Sequence, residues 1–551
     1  MSPHLFAFPH SQAADGRLQS VACDRRWEEG FSRRILLCTL VVALLAGCAT
    51  RPAASRRLVY GLTLAPSGID PHVNASSELG IPLTSVYDTL VYQDPATGQF
   101  VPGLAESWKI SDDGRTYSFT LRRDVKFHDG TPFNAAAVKV NLERISDPAT
   151  QSQKAMFMLG PFDRADVLDE FTVVIHLKQP FAPLLDSLSQ VYLGIASPAA
   201  LARWGKDYQL HQVGTGPFIF KEYVPQDHLT LVRNPDYKWG PVIWENRGPA
   251  HLDEITFRFY VDPATRALAL ESGQVQVMGE VPPQDVDRLT AGKFTLYAAP
   301  IPGQPLQFFL NTRRAPTDDF RVRQALLYAT DRAAIVKAVF RNRSPVAFGP
   351  LTSATVGYDP EVEKLYSFDP DKARQLLDDA GWRVGPDGVR QKDNQRLQLD
   401  GVLMDYGFVP ETAQLVQAQW AQVGVEFKTQ LVPYGTLLQA GREGSVNVIP
   451  FLLSGSDPDI LRQFFRSGES FNYARVSDPA LDAALDKAVT LTDLQARALL
   501  YADVQQRVMA QALIVPIRDY VNLNVAAKSV TGLRYDARGW FPQLSNVNMI
   551  P

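Results

Sequence analysis

Two periodicities divide this chain. Residues 58–64 form a nearly continuous apolar run after Arg57 and predict a buried strand, followed by the turn-rich segment 65–72. Residues 116–121, after the turn Ser111-Asp112-Asp113-Gly114, alternate polar and apolar side chains, as do 172–177 and 229–232, and each predicts a half-buried strand. Asn134 stands where it can cap a helix whose Val138, Leu142 and Ile145 recur at helical spacing. Residues 321–340, 370–380, 412–423 and 479–509 read as helices, with strands between them at 397–404, 425–431 and 446–453. Helix and strand alternate through the second half, which favours α/β layers.

At 551 residues, 45% of them hydrophobic, the chain is long enough for two or three cores. Its 55 basic and 59 acidic residues are interspersed and leave a formal charge of −4, so nothing favours nucleic acid. The apolar run 35–46 follows Arg33-Arg34 and is shorter than the roughly 20 residues of a membrane span, which suits the core of an export signal. It ends in Leu45-Ala46-Gly47-Cys48, which resembles a bacterial lipobox: residues 1–47 are expected to be a cleaved signal with an N-terminal extension, Cys48 the lipidated first residue, and 48–56 a tether. No cysteine follows Cys48, so the body has no disulfide. Scattered histidines give no ligand spacing for a metal. The chain also lacks Gly-x-Ser-x-Gly, the phosphate-cradling Gly-x-x-x-x-Gly-Lys and His-Glu-x-x-His, so no enzyme and no cofactor are expected.

A series of motifs then occurs in order: Tyr87-Asp88-Thr89-Leu90-Val91-Tyr92, Pro102-Gly103-Leu104-Ala105-Glu106-Ser107-Trp108, and Lys126-Phe127-His128-Asp129-Gly130-Thr131-Pro132-Phe133. Gly214-Thr215-Gly216-Pro217-Phe218, Arg233-Asn234-Pro235-Asp236-Tyr237, Asp319-Phe320-Arg321-Val322-Arg323-Gln324 and Asp457-Pro458-Asp459 follow. Over residues 57–540 the chain closely resembles family 5 extracytoplasmic solute-binding proteins, the receptors of peptide and nickel ABC importers. Taken by their residues, Gly130, Gly214 and Gly216 are expected at turns with positive φ, Arg321 and Arg323 as scaffold ion-pair partners, and His72 and His128 in local hydrogen bonds.

The resemblance implies an α/β, two-lobed periplasmic-binding-protein-like fold of the class II type, with an extra subdomain on the first lobe and two crossing strands between lobes. Residues 57–93, 210–303 and 514–551 would form lobe I, 94–209 the extra subdomain and 304–513 lobe II, with crossings near 304–311 and 515–523. The expected function is the substrate-binding component of an ABC importer. It would capture a peptide or peptide-like solute and deliver it to a permease and ATPase, as a lipid-anchored periplasmic or cell-surface monomer. The alternatives are a receptor for a metal–chelator complex, which Arg462 and Arg466 could meet, and a sensor or chaperone uncoupled from transport. Segments that match the family's ligand-facing segments hold Asn74, Ser76, Ser77, Gln307, Phe308, Tyr406, Phe408, Phe451, Ser454 and Asp457. One departure stands out. Ser454 falls where peptide-binding relatives carry the aspartate that pairs with the ligand's α-ammonium, and a serine cannot neutralise a cation. Asp457 remains as a possible source of that charge.

Overall fold

A computed structural model describes residues 56–550 apart from 64, 65, 67 and 75, and the backbone alone of Ser77, Pro263 and Leu494. Cys48 and the apolar run before it lie outside the described residues. Among the described residues no helix is long and apolar enough to cross a membrane.

The strand Arg57–Leu62 pairs in parallel with Glu254–Phe259 and with Val277–Met278 near the middle of a seven-stranded sheet, whose edges are Phe294–Pro300 and Phe218–Val224. A second, five-stranded sheet runs in the order Glu426–Leu431, Gln398–Leu403, Val448–Ser454, Gly303–Leu310, Ile514–Arg518. Each sheet has its own apolar core: Tyr60, Leu229 and Phe257 lie in the first, and Phe308, Leu399 and Trp420 in the second. These are the two lobes. A four-stranded antiparallel sheet spanning Ala105–Ile110 to Thr172–Leu177 shares the core of the first lobe, with Phe119 and Ile175 continuous with Leu58 and Phe257.

The chain passes between lobes twice. Phe294–Pro300 ends in the first sheet and Gly303–Leu310 begins in the second, while Ile514–Arg518 leaves the second and Val521–Ala527 re-enters the first. The two passages are neighbours: Pro300 pairs with Val521, Leu306 pairs with Arg518, and the Ile301 amide donates to the Tyr520 carbonyl at 2.9 Å. The paired strands on either side are joined through the short segments Ile301-Pro302 and Asp519-Tyr520, which is where a hinge between the lobes would turn. Gly303 enters at φ +123°, and a Cβ there would lie 2.4 Å from the Leu453 carbonyl, so no other residue fits. The strand Ile514–Arg518, which the sequence reading put with the first lobe, pairs with Gly303–Leu310, because its apolar residues Ile514, Val515 and Ile517 complete the second core.

Other differences have local causes. Residues 321–340 form two helices, Phe320–Tyr328 and Arg332–Phe340, because the Asp331 carboxylate accepts from the Ala334 amide and caps a new start. Residues 479–509 divide in the same way into Pro479–Ala488 and Leu494–Ala510, with Asp493 capping onto Ala496. Gly130 has φ +85°, whereas Gly214 and Gly216 are required by close approach: a Cβ would meet the Val86 carbonyl at 2.1 Å and the Ser85 carbonyl at 2.5 Å. Arg321 pairs with Asp319, but Arg323 donates to the carbonyls of Thr317, Asp318 and Gln511 in place of an ion pair. His72 contacts the Gly194 carbonyl and Arg144, and His128 the Gly216 carbonyl.

Candidate functional site

A cavity of about 530 Å³ opens where the two passages meet. Ile301, Gln304 and Tyr520 form its floor; Tyr406, Phe451 and Ser454 come from the second lobe, and Trp540 faces them from the C-terminal segment of the first. The strand Val448–Ser454 ends at this rim, where Phe451 to Ser454 all line the cavity beside an irregularity in the pairing between Gln304 and Gln307, with Gly303 opposite Ser454 and Gln307 opposite Phe451. Phe451 is 2% exposed and belongs to an aromatic cluster, stacked at 6.4 Å on Tyr434 and edge-on at 5.5 Å to Tyr473. Tyr520 lies 6.1 Å from Trp540, so the wall is mostly aromatic.

Polar groups in this wall are left without partners. Gln304 is 1% exposed, lines the cavity, and neither Nε2 nor Oε1 of its amide has a hydrogen bond. The same holds for both amide atoms of the buried Gln307, next to Phe451, and for the indole N–H of Trp540. Buried amides of this kind cost on the order of 1–3 kcal/mol each unless something supplies the missing bonds.

Behind Tyr520 lie two carboxylates. The Tyr520 hydroxyl donates to Glu280, the Thr63 hydroxyl donates to the other Glu280 oxygen at 2.7 Å, and the Thr63 amide donates to Glu78 at 3.3 Å. Burial first, and then the Glu280 charge, push the Glu78 carboxyl up to about 8. Burial and the Glu280 charge likewise hold the Tyr520 phenol above its ordinary range.

The structure brings Tyr406, Phe451 and Ser454 together at the cavity, with Gln307 alongside. Phe308 points to the opposite face of its strand, into the second core against Trp420 and Phe427, as strand alternation requires. Phe408 is half-buried, edge-on to Phe340. Asp457 is held by Arg497 at 2.7 and 2.9 Å, outside the main cavity in a smaller cleft of about 180 Å³ shared with Gln93 and Asp186. Its charge is thus already neutralised. Asn74 donates to the Asp70 carbonyl, and the Ser76 carbonyl accepts from Tyr192 at 2.9 Å while its hydroxyl is buried without a partner. Ser77 opens the helix Ser77–Leu83, and its side chain lies outside the described residues. Arg462 pairs with Asp459, and Arg466 with Asp486. Gln304, Tyr434, Tyr520, Trp540, Glu78 and Glu280 were missed from sequence. They come from distant positions, and only Glu280, a carboxylate between the buried Met278 and Val281, carried a local signal. Among the described residues no group of three or more metal-ligating side chains occurs.

Comparison with known proteins fits this architecture. Residues 99–473 match the bacterial extracellular solute-binding proteins, family 5 (middle). The glutathione-binding protein GsiB of Pectobacterium atrosepticum is 30% identical over 518 residues, covering 91% of this chain and 95% of its own. The crystal structure of NikA from Brucella suis in complex with Fe(III)-EDTA superposes with a TM-score of 0.79 at 26% identity, covering 90% of this chain and all of that one. HbpA2 from Haemophilus parasuis superposes at 0.75, also with 26% identity, over 90% and 100% of the two chains. The chain belongs to family 5 of the bacterial extracellular solute-binding proteins, the substrate-binding components of ABC importers.

Proposed function

We propose that this protein captures a peptide or small peptide-like solute in the cavity at the two passages and delivers it, unaltered, to a permease and its ATPase. The observation that carries this reading is Gln304: a fully buried amide in the cavity wall with no partner for either end, beside the aromatic faces of Phe451, Tyr520 and Trp540. A peptide offers the N–H and C=O groups such an amide lacks, together with apolar side chains for the rings. The GsiB relative over nine-tenths of the chain, named for glutathione binding, supports the same class of solute. An anionic metal chelate would need free cations in the cavity wall, yet Arg462 and Arg466 are paired and the charged side chain that lines the cavity is the Asp405 carboxylate.

Contacts from both lobes then reward closure, and the closed form is what a permease distinguishes. Cys48 as a lipid attachment would hold a monomeric receptor at the membrane surface, and mass measurement of the exported protein tests it. The binding reading is tested by calorimetry with a mixed tripeptide library and glutathione, alongside native mass spectrometry of the protein isolated from its host. Saturable binding and a retained peptide mass are expected. No binding to either probe, with a non-peptide mass retained, overturns it.

A further inference from the structure

We infer that Glu280, with Glu78 behind it, receives the ammonium end of the solute from the first lobe, taking over the task that Ser454 cannot perform. The inference rests on the peptide reading above and names the group that orients the ligand.

The geometry is specific. Thr63 donates to both carboxylates and Tyr520, a cavity-lining residue, donates to Glu280. Among the described residues neither carboxylate stands in an ion pair; the guanidiniums whose charge reaches them are Arg266, for Glu78, and Arg518, for Glu280, the latter with its Nε buried and without a hydrogen bond. Arg266 donates to the carbonyls of Tyr260, Val261 and Glu280 at 3.0–3.1 Å, and does not reach a carboxylate oxygen. Arg518 lies between the rings of Phe340 and Tyr520, at 4.1 and 4.6 Å, and donates to Ser344. A second acidic group beside a buried one is costly: burial and then the Glu280 charge push the Glu78 carboxyl up. Glu280 is moreover a non-glycine residue at φ +45°, a backbone position that persists only when its surroundings hold it.

An independent observation ties this pair to a ligand. Gln304, buried and unpartnered at both amide atoms, lines the cavity that Tyr520 and Tyr406 also line. A peptide whose first amide group satisfies Gln304 would present its terminal ammonium toward the two phenol rings and the Glu280 carboxylate. The rings add cation–π attraction. An arriving ammonium brings its charge beside the pair, and the proton that burial and the Glu280 charge keep on Glu78 leaves to solvent.

The test uses the whole exported protein, a mixed tripeptide library and glutathione, and the same compounds N-acetylated. Wild-type protein should bind the free-amine forms at least ~30-fold more tightly than the acetylated ones, the usual scale for losing one partner of a buried charge pair. Glu280→Gln, which keeps size and shape, should erase that preference by weakening only the free-amine forms. Equal binding of both forms by the wild type, or a preference that survives in a folded E280Q protein, overturns the inference and leaves the peptide reading standing. Wild-type protein that binds none of the compounds overturns both. The acetylation comparison needs no variant, so a misfolded E280Q protein does not remove the test.

Discussion

Asp457 and Arg497 form a two-point ion pair, 2.7 Å to Oδ1 and 2.9 Å to Oδ2, with side chains 15% and 6% exposed. This pairing removes from the ligand problem the carboxylate closest in sequence to Ser454. Asp457→Asn should lower stability by about 3–5 kcal/mol, since it strands a buried guanidinium. It should leave the preference for free-amine over N-acetylated peptides unchanged. Thermal unfolding and calorimetry on the same sample check both halves, and a lost preference would return Asp457 to the binding site.

Gln304 sets stability against binding. Gln304→Leu keeps most of the volume while deleting an amide without hydrogen bonds, so the empty protein should gain about 1–2 kcal/mol. Peptide affinity should fall by ~10-fold, the equivalent of one lost hydrogen bond to a buried group. Denaturant unfolding together with a binding isotherm reads the two effects. A variant that is less stable and binds normally would make Gln304 a structural residue.

The Glu78 carboxyl gives the empty protein a characteristic pH response. Its ordinary value is 4.5 and the fold raises it to about 8, so between these the folded protein keeps a proton that the unfolded chain has released. Its contribution is complete below the lower value and is lost as pH rises through the upper, with a slope of at most ~1.4 kcal/mol per pH unit. Asp459 and Asp519, each raised to about 6 chiefly by burial, act in the same sense but are finished above that pH. Lys154, drawn down to about 8 first by burial, opposes the trend only at higher pH. Denaturation midpoints should therefore fall from about pH 6.5 to 8, and Glu78→Gln should flatten the decline.

The lobes also touch away from the passages. Ser456 of the second lobe donates to Asp186, which in turn accepts from Arg538 of the first at 2.9 Å. Ser456→Ala removes the only member of this trio that belongs to the second lobe. Small-angle scattering without ligand should then show a larger radius of gyration, while the ligand-saturated profile should match the wild type. An unchanged empty profile would mean that other contacts, such as Arg343 with Asp287, hold the lobes together.

The sequence was readable wherever one element decides its own form. Strand alternation at 116–121 and 172–177 placed both strands at their observed limits, and Asn134 caps its helix by accepting from the Ala137 amide. It was less readable where a cap interrupts a continuous apolar pattern, as Asp331 and Asp493 do, because periodicity carries across a break that one side-chain hydrogen bond makes. Of the candidate site residues, Tyr406, Phe451 and Ser454, taken from segments that resemble a family pattern, line the cavity. Phe308 and Asp457 could not be sorted in that way: a phenylalanine on a strand faces core or cleft according to register, and an aspartate is free or paired according to a residue 40 positions away.

On its own, the order of motifs carried the resemblance to the family, and the apolar periods carried the α/β layering with more than one core. Those properties depend on local patterns that survive whatever the rest of the chain does. The placing of Gln304 and Tyr520 at one cavity, with Glu280, Thr63 and Glu78 linked behind Tyr520, depended on folding. Hydrogen bonds and charge repulsion act over a few ångströms in space, and residues 63 and 520 become neighbours only after two sheets have been joined through two adjacent strands.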